Sequence, residues 1–188
     1  MAGQLTGVLS PLLQNRRLAA ARSHLGRGRL LDFGCSAGAL ARFVEPARYL
    51  GVDTDQAALA QAQAHFPAHR FLTLDEFEAS STDEFDIVAA LAVIEHLADP
   101  LAWLEKMRRR LTPRGRLVLT TPDPALQWAH EAGARVGLFS REAADEHQTL
   151  LDQQALRTLA DRAGFQLTRY QRFLFGANQL CVLETTSR

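Results

Sequence analysis

The sequence predicts an α/β fold, a doubly wound and mostly parallel seven-stranded sheet with helices on both faces and an antiparallel C-terminal edge strand. Short apolar segments alternate with segments of helical periodicity, which is the order of a parallel sheet joined by crossover helices. The segment "FDIVAALAV" (85–93) is almost continuously apolar, as a central parallel strand should be. The last two strand-like segments are joined only by "QRFLFGAN", which lets them pair antiparallel.

In the N-terminal half, the spacing of leucine and alanine predicts a helix over 11–25. A first strand, 29–33, runs into a loop with glycines at both ends. A short helix should follow through Leu40, Phe43 and Val44. "RYLGVDTD" is a second strand ending at Asp53. An alanine-rich helix over 56–65 and a third strand, "HRFLTLD", complete this half.

In the C-terminal half, Asp99 is a good N-cap and Pro100 suits the first position of a helix. An apolar stripe with three- and four-residue spacing marks the buried side of that helix, which "TPRG" ends. "RLVLTTP" is the fifth strand. A last helix should begin after Asp152 and end before Gly164, a C′ glycine, and "FQLTRY" and "QLCVLET" are the last two strands.

Composition predicts one domain over 1–188 with no electrostatic signal for nucleic acid or an anionic membrane. The chain has 21 basic and 21 acidic residues and a formal net charge of zero. No apolar run reaches the roughly 18 residues of a spanning helix, and the N-terminus lacks the pattern of a signal peptide. Cys35 and Cys181 show no metal-like spacing. We therefore expect a cytoplasmic protein without nucleic-acid partners or membrane insertion.

The ends of the first four strands should form one ligand pocket, because ligands of such sheets bind outside the carboxyl ends of the strands. The pocket would contain 32–38, Asp53, Asp75 and 91–96. Asp53 follows Gly34 by 19 residues. That spacing fits a carboxylate that binds ribose hydroxyls, but it fits any nucleoside cofactor and does not choose among them.

The loop "LLDFGCSAGAL" (30–40) does not match a dinucleotide fingerprint, since Ser36 and Ala39 replace two of the three glycines. Asp32 would repel a pyrophosphate and attract a positively charged cofactor. S-adenosylmethionine has a ribose, an ammonium and a sulfonium, and it has no phosphate. Ser36 is tolerable in such a loop if its backbone does not need a positive φ.

The same loop resembles motif I of the class I S-adenosylmethionine-dependent methyltransferases, commonly written LDxGCGxGxL. "YLGVDTDQAALAQA" resembles their acidic-loop motif, and the block from "EFDIVAALAVIEH" to "RLVLTTP" is similar to their strand-four to strand-five region. "EHQTLLDQQALRTLADRAGFQL" resembles their C-terminal helix and strand six. The likeness covers roughly 29–184 and implies the Rossmann-like methyltransferase fold.

The resemblance also implies roles for individual residues in binding S-adenosylmethionine. The loop would contact its methionine and ribose parts, Asp53 would accept bonds from the ribose hydroxyls, and the end of strand three would meet the adenine. The implied cofactor-binding residues are Asp32, Gly34, Cys35, Ser36, Gly38, Asp53, Thr54, Asp75, Glu76 and Leu91.

Two histidines are candidate general bases for a hydroxyl acceptor. His96 follows strand four at the pocket rim, although it could instead only fix the loop. His147 lies in the segment expected to cover the acceptor, although it could instead cap a helix or form a salt bridge. "AVIEH" resembles a metal-binding stretch of ubiquinone-biosynthesis O-methyltransferases, but Ala92 stands where they have a further Glu. We therefore expect no metal.

The function predicted from these features is methyl transfer to a small-molecule acceptor, most simply on oxygen. Strand four lacks the Asn/Asp-Pro-Pro-aromatic motif of amino-methylating enzymes, so O- or C-methylation is favoured. The N-terminal helical segment (1–28) and 123–150 would form the acceptor site, alone or in a homodimer. Two alternatives stay open: a cofactor-binding but catalytically degenerate protein that acts as a partner or regulator, and a nicotinamide-dependent oxidoreductase.

Overall fold

The structure is a computed structural model that describes residues 10–79, 83–124 and 151–186. Its five α-helices in this part of the chain are α1 (Ser10–Arg22), α2 (Gln56–His65), α3 (Leu74–Ala79), α4 (Pro100–Arg109) and α5 (Gln153–Arg162). The strands are β1 (Leu30–Phe33), β2 (Tyr49–Asp53), β3 (Arg70–Thr73), β4 (Phe85–Leu91), β5 (Leu111–Pro122), β6 (Phe165–Phe173) and β7 (Asn178–Thr185).

The seven strands form one sheet in the order β3-β2-β1-β4-β5-β7-β6. The first five strands pair in parallel, with Leu31 opposite Leu50 on one side and opposite Val88 on the other. β7 pairs antiparallel with both β5 and β6. The predicted α/β architecture and strand count are confirmed. Strand order reverses between β1 and β4, so the carboxyl ends of these two strands flank the crevice where ligands of such sheets bind.

The antiparallel C-terminal strand lies one place further in than its description as an edge strand implies. The β6–β7 pair does form one edge of the sheet, but β7 is inserted between β5 and β6, and β6 is outermost. The hairpin geometry permits either strand to join β5. The burial pattern explains the choice, since β7 is buried at six consecutive positions whereas β6 is mostly exposed.

Two local predictions differ from the structure. The short helix predicted through Leu40, Phe43 and Val44 is only a 3-10 turn, Ala41–Phe43. Pro46 follows closely and disfavours a helical conformation at Glu45, so an α-helix has no room to develop. The helix α3 was not predicted. Its signal was present as a capping box, because the Glu76 carboxylate accepts bonds from the Thr73 N–H and hydroxyl, both at 2.8 Å.

Two apolar layers cover the faces of the sheet. One contains α4 and α5 and includes the fully buried Phe85, Met107 and Phe165. The other contains the inner side of α1, with Leu18, Ala21 and the 3-10 turn packed on β1, β4 and β5. Helix α1 is therefore fixed above the carboxyl ends of the central strands. In the described part of the chain, every helix is too short or too polar to traverse a bilayer.

Candidate functional site

A cavity of about 330 Å³ lies between α1 and the carboxyl ends of β1 and β4. Its walls come from the inner side of α1, the loop after β1 and the end of β4. The lining residues are Leu13, Gln14, Arg17, Leu18, Asp32, Gly34, Cys35, Ser36, Ala39, Leu40, Leu91 and Ala92. The sequence predicted the loop and Leu91 as parts of this site, and the structure brings them together.

The loop after β1 depends on residues with positive φ. Gly34 and Gly38 have φ of 77° and 76°. A Cβ on Gly34 would lie 2.5 Å from Val93, and one on Gly38 would lie 3.1 Å from the Phe71 ring, so the glycines permit close packing as well. Ser36 also has a positive φ, 46°. The condition under which Ser36 would be tolerable without strain is therefore not met, and its backbone conformation costs about 1 kcal/mol.

Asp53 holds this strained residue in place. Its Oδ2 accepts the N–H of Ser36 at 2.7 Å, and its Oδ1 accepts the N–H of Asp55 at 2.9 Å. Asp55 in turn caps α2 through the N–H groups of Ala57 and Ala58. Each oxygen of Asp53 keeps a further lone pair, so the half-buried carboxylate can accept two more bonds from vicinal hydroxyls.

Asp32 lies deep in the cavity wall and is only 3% exposed. The Tyr49 hydroxyl donates to its Oδ2 at 2.6 Å. Burial raises the pKa of Asp32 to about 7, although the Tyr49 bond opposes the rise. Burial also raises the pKa of the Cys35 thiol, so Cys35 is a neutral packing group. Asp32 can therefore carry either charge state near neutral pH, and a cation in the cavity would favour the ionised one.

Arg17 is a site residue that the sequence reasoning missed. Its Nε donates to Asn178 Oδ1 at 3.1 Å, and its side chain lines the cavity. Burial lowers the pKa of Arg17, while the negative charge of Glu95 raises it, and the guanidinium stays charged. Its position four residues after Leu13, on the inner side of the helix predicted over 11–25, was the signal that could have found it.

The adjacent residues Glu95 and His96 point to opposite environments in the 3-10 turn Ile94–His96. Glu95 is 2% exposed, its Oε2 has no partner among the described residues, and burial raises its pKa against the positive charge of Arg17. His96 is exposed and does not line the cavity. Ala92, where a further carboxylate would complete a metal site, lines the cavity instead. The described residues contain no cluster of three or more His, Cys, Asp or Glu suited to a metal ion.

The other predicted residues lie around the cavity or outside the described structure. Thr54 and Asp75 are exposed, beyond the ends of β2 and β3. Glu76 lines a second, more open depression of about 420 Å³ beside α2 and β3. His147 lies outside the described residues, as does most of the segment 123–150. The roles predicted for these residues remain predictions.

Comparison with known proteins places the chain in a family. The family model described as "Methyltransferase domain" matches residues 3–170. The chain is 34% identical over 121 residues to a ubiquinone biosynthesis O-methyltransferase of Bradyrhizobium diazoefficiens, covering 60% of this chain and 46% of that protein. It is 38% identical over 105 residues to one from Cereibacter sphaeroides, covering 50% and 40%. The chain thus spans less than half the length of these relatives.

Solved structures share the fold at low sequence identity. The magnesium protoporphyrin IX methyltransferase of Synechocystis, solved with bound S-adenosylhomocysteine, superposes with a TM-score of 0.73 at 17% identity, covering 99% of this chain and 90% of that one. A putative methyltransferase of Haloferax volcanii, solved in complex with the Trm112 activator, gives 0.76 at 16%, covering 95% and 93%.

Proposed function

Because this chain belongs to the class I S-adenosylmethionine-dependent methyltransferases, we propose that it methylates a small-molecule acceptor on oxygen. One observation carries the cofactor half of the proposal. Arg17 and Asp32 line the same cavity, beside the loop after β1. A cation and an acid there match the carboxylate and ammonium of the cofactor's amino-acid end.

The residues present fit this cofactor. Gly34 and Gly38 keep the loop free of side chains where it turns, and Asp53 offers two carboxylate oxygens already oriented by backbone N–H groups. When bound, the cofactor supplies a methyl group already activated by its sulfonium. The protein therefore has to position and desolvate the two reactants, and it needs no residue to activate the methyl group.

Buried polar atoms next to the cavity support an oxygen acceptor. Glu95 Oε2, Thr120 Oγ1 and Asn178 Nδ2 are buried and have no partner among the described residues. Unpaired buried groups are costly, so these atoms are suited to recognising a polar acceptor or its water shell. The relatives named as O-methyltransferases also favour oxygen. His96 and His147 remain the proposed candidates for the general base, and Glu95 joins them because it is buried beside Arg17.

The nicotinamide-dependent alternative finds less support in the geometry. A dinucleotide's pyrophosphate binds at the N-terminus of the helix that follows the glycine loop. Here a 3-10 turn, Ala41–Phe43, takes the place of that helix, and Asp32 lines the same cavity. The loop therefore offers a phosphate neither a helix dipole nor a neutral wall.

Calorimetric titration tests the cofactor half. S-adenosylhomocysteine should bind and NAD should not. Arg17→Gln should weaken S-adenosylhomocysteine by about 2 kcal/mol, through the lost charge-assisted bond. The same variant should bind 5′-methylthioadenosine, which lacks the amino-acid end, as the wild type does. Equal losses for both ligands would mean that Arg17 supports α1 and does not contact the cofactor.

Methyl transfer to a panel of small phenols tests the acceptor half. Label from methyl-labelled S-adenosylmethionine should appear in a methyl ether, identified by its carbon chemical shift. A carbon-linked methyl group would show that the acceptor atom is assigned wrongly. Binding without transfer to any phenol, carboxylic acid or activated carbon would support the non-catalytic alternative. Comparing Glu95→Gln with His96→Gln in the pH dependence of kcat would then identify the base.

A further inference from the structure

The neutral overall charge hides a strongly basic region. Residues 10–48 contain seven arginines and two acids, a net charge of +5, which the rest of the chain balances with −5. One of the two acids, Asp32, is buried in the cavity wall, so Glu45 is the only exposed acid of this stretch. The region can therefore attract anions even though the whole molecule has no net charge.

Several of these arginines meet on one surface formed by α1 and the 3-10 turn. The guanidinium carbons of Arg22 and Arg42 each lie 4.8 Å from the centre of the Phe43 ring. Arg42 also donates to Asn15 Oδ1 at 3.1 Å. Arg16 is exposed one residue further along α1. No described carboxylate forms a salt bridge with any of the three arginines.

The same surface exposes apolar side chains. The described residues expose three large hydrophobic side chains, and two of them, Leu12 (46% exposed) and Phe43 (39%), belong to α1 and to this turn. Leu12 precedes Asn15 and Arg16 by three and four positions, so all three lie on the outer side of α1. We call this surface, made of Leu12, Asn15, Arg16, Arg22, Arg42 and Phe43, the arginine face.

We propose that the arginine face docks on the surface of an anionic lipid bilayer. Arginines attract acidic headgroups at about 1 kcal/mol each, and exposed Phe and Leu side chains insert at the boundary between headgroups and acyl chains. A nucleic-acid surface would use the arginines but gains nothing from an exposed leucine. Docking of this kind is peripheral and needs no helix that crosses the bilayer.

The opposite side of the same helix lines the cavity, through Leu13, Arg17 and Leu18. Docking would therefore place one wall of the cavity against the lipid surface. This inference goes beyond the proposed function and does not depend on it, because lipid binding can be measured without methyl transfer.

Co-sedimentation of the full chain with vesicles tests the proposal. Vesicles of 70% phosphatidylcholine and 30% phosphatidylglycerol should bind the protein, and pure phosphatidylcholine vesicles should not. Arg22→Gln with Arg42→Gln should weaken binding roughly 25-fold, about fivefold for each charge. Phe43→Ser should weaken it about fivefold by removing the inserted ring. Arg114→Gln, an exposed arginine near the amino end of β5, is the matched control and should bind as the wild type does.

Three results would overturn the proposal: no binding to the anionic vesicles, equal binding to neutral vesicles, or an equal loss in the Arg114 control. A fourth would replace it. If duplex DNA binds as tightly as the vesicles and Phe43→Ser leaves DNA binding unchanged, the arginine face is a nucleic-acid surface. Thermal melting of each variant, and its titration with S-adenosylhomocysteine, would show that the fold and the cavity are intact.

Discussion

The two sides of the cavity differ in how well their polar groups are satisfied. On the β1–β2 side, Asp53 accepts two backbone N–H groups and Asp32 accepts the Tyr49 hydroxyl. On the β4–β5–β7 side, Glu95 Oε2, Thr120 Oγ1 and Asn178 Nδ2 lack partners among the described residues. A region preorganised for one fixed ligand arranges its own hydrogen bonds in advance. The difference therefore suggests an invariant cofactor on the first side and a more variable acceptor on the second.

The largest expected effect is the pH dependence that Asp32 gives to folding. Its pKa is raised from 3.8 to about 7, so between pH 4 and 7 the folded protein holds a proton that the unfolded chain has released. Stability should therefore fall as pH rises through this window. Relative to Asp32→Asn, the loss in the wild type should reach about 4 kcal/mol at pH 7. Urea denaturation at a series of pH values measures it. Parallel curves for the two proteins would mean that Asp32 is ionised throughout.

The next effect concerns Asp53, the centre of the preorganised side. Asp53→Ala should weaken S-adenosylhomocysteine binding by about 3 kcal/mol, because it removes charge-assisted bonds to the ligand and frees the Ser36 loop. Calorimetry measures this loss. Asp55→Ala is the control. It should lower the free energy of unfolding by about 1 kcal/mol through the lost cap of α2, with cofactor affinity unchanged. A similar loss of affinity in both variants would assign the effect to α2.

A smaller effect tests the unsatisfied side. Thr120→Val replaces a buried, unpartnered hydroxyl with a methyl group and should raise the free energy of unfolding by about 1 kcal/mol. The variant should methylate its acceptor more slowly while binding the cofactor normally. Thr185→Val is the control, since that hydroxyl donates to Pro113 O at 2.7 Å and its loss should destabilise the protein. Unchanged turnover in Thr120→Val would separate this hydroxyl from acceptor recognition.

The smallest effect concerns the strain at Ser36. Ser36→Gly should stabilise the protein by roughly 0.5–1 kcal/mol, because glycine adopts a positive φ without a steric penalty. Cofactor affinity should stay the same, since the Ser36 contact with Asp53 uses the backbone N–H. Ala37→Gly should destabilise the protein, because the Ala37 φ is not positive. Thermal denaturation of both variants checks the sign, and a loss of stability in Ser36→Gly would contradict the strain assigned here.

Sequence patterns predicted most of the fold because the central strands and capped helices carry strong local signals. Asp99, Asp152 and Gly164 occupy the cap positions expected of them. The order of β6 and β7 could not be predicted, since a hairpin joins the sheet through either strand and burial decides which. The φ of Ser36 also escaped prediction, because it depends on a bond to Asp53, 17 residues away.

The site was predictable in its loop and less so elsewhere. The glycine spacing and Asp53 identified the nucleoside end from a continuous pattern. Arg17 reaches the cavity only because α1 packs over β4 and β5, a tertiary arrangement with no local signature. The opposite orientations of Glu95 and His96 likewise follow from the 3-10 turn that joins β4 to α4.

The insertion of β7 between β5 and β6 has a consequence for biosynthesis. Residue 116 of β5 pairs with Glu184, so β5 acquires its second neighbour only after nearly the whole domain has left the ribosome. Until then β5 has one open edge, and β6 has no strand to pair with. An apolar edge exposed during synthesis is a site for aggregation and for chaperone binding. The final dozen residues therefore determine when the nascent chain becomes safe from self-association.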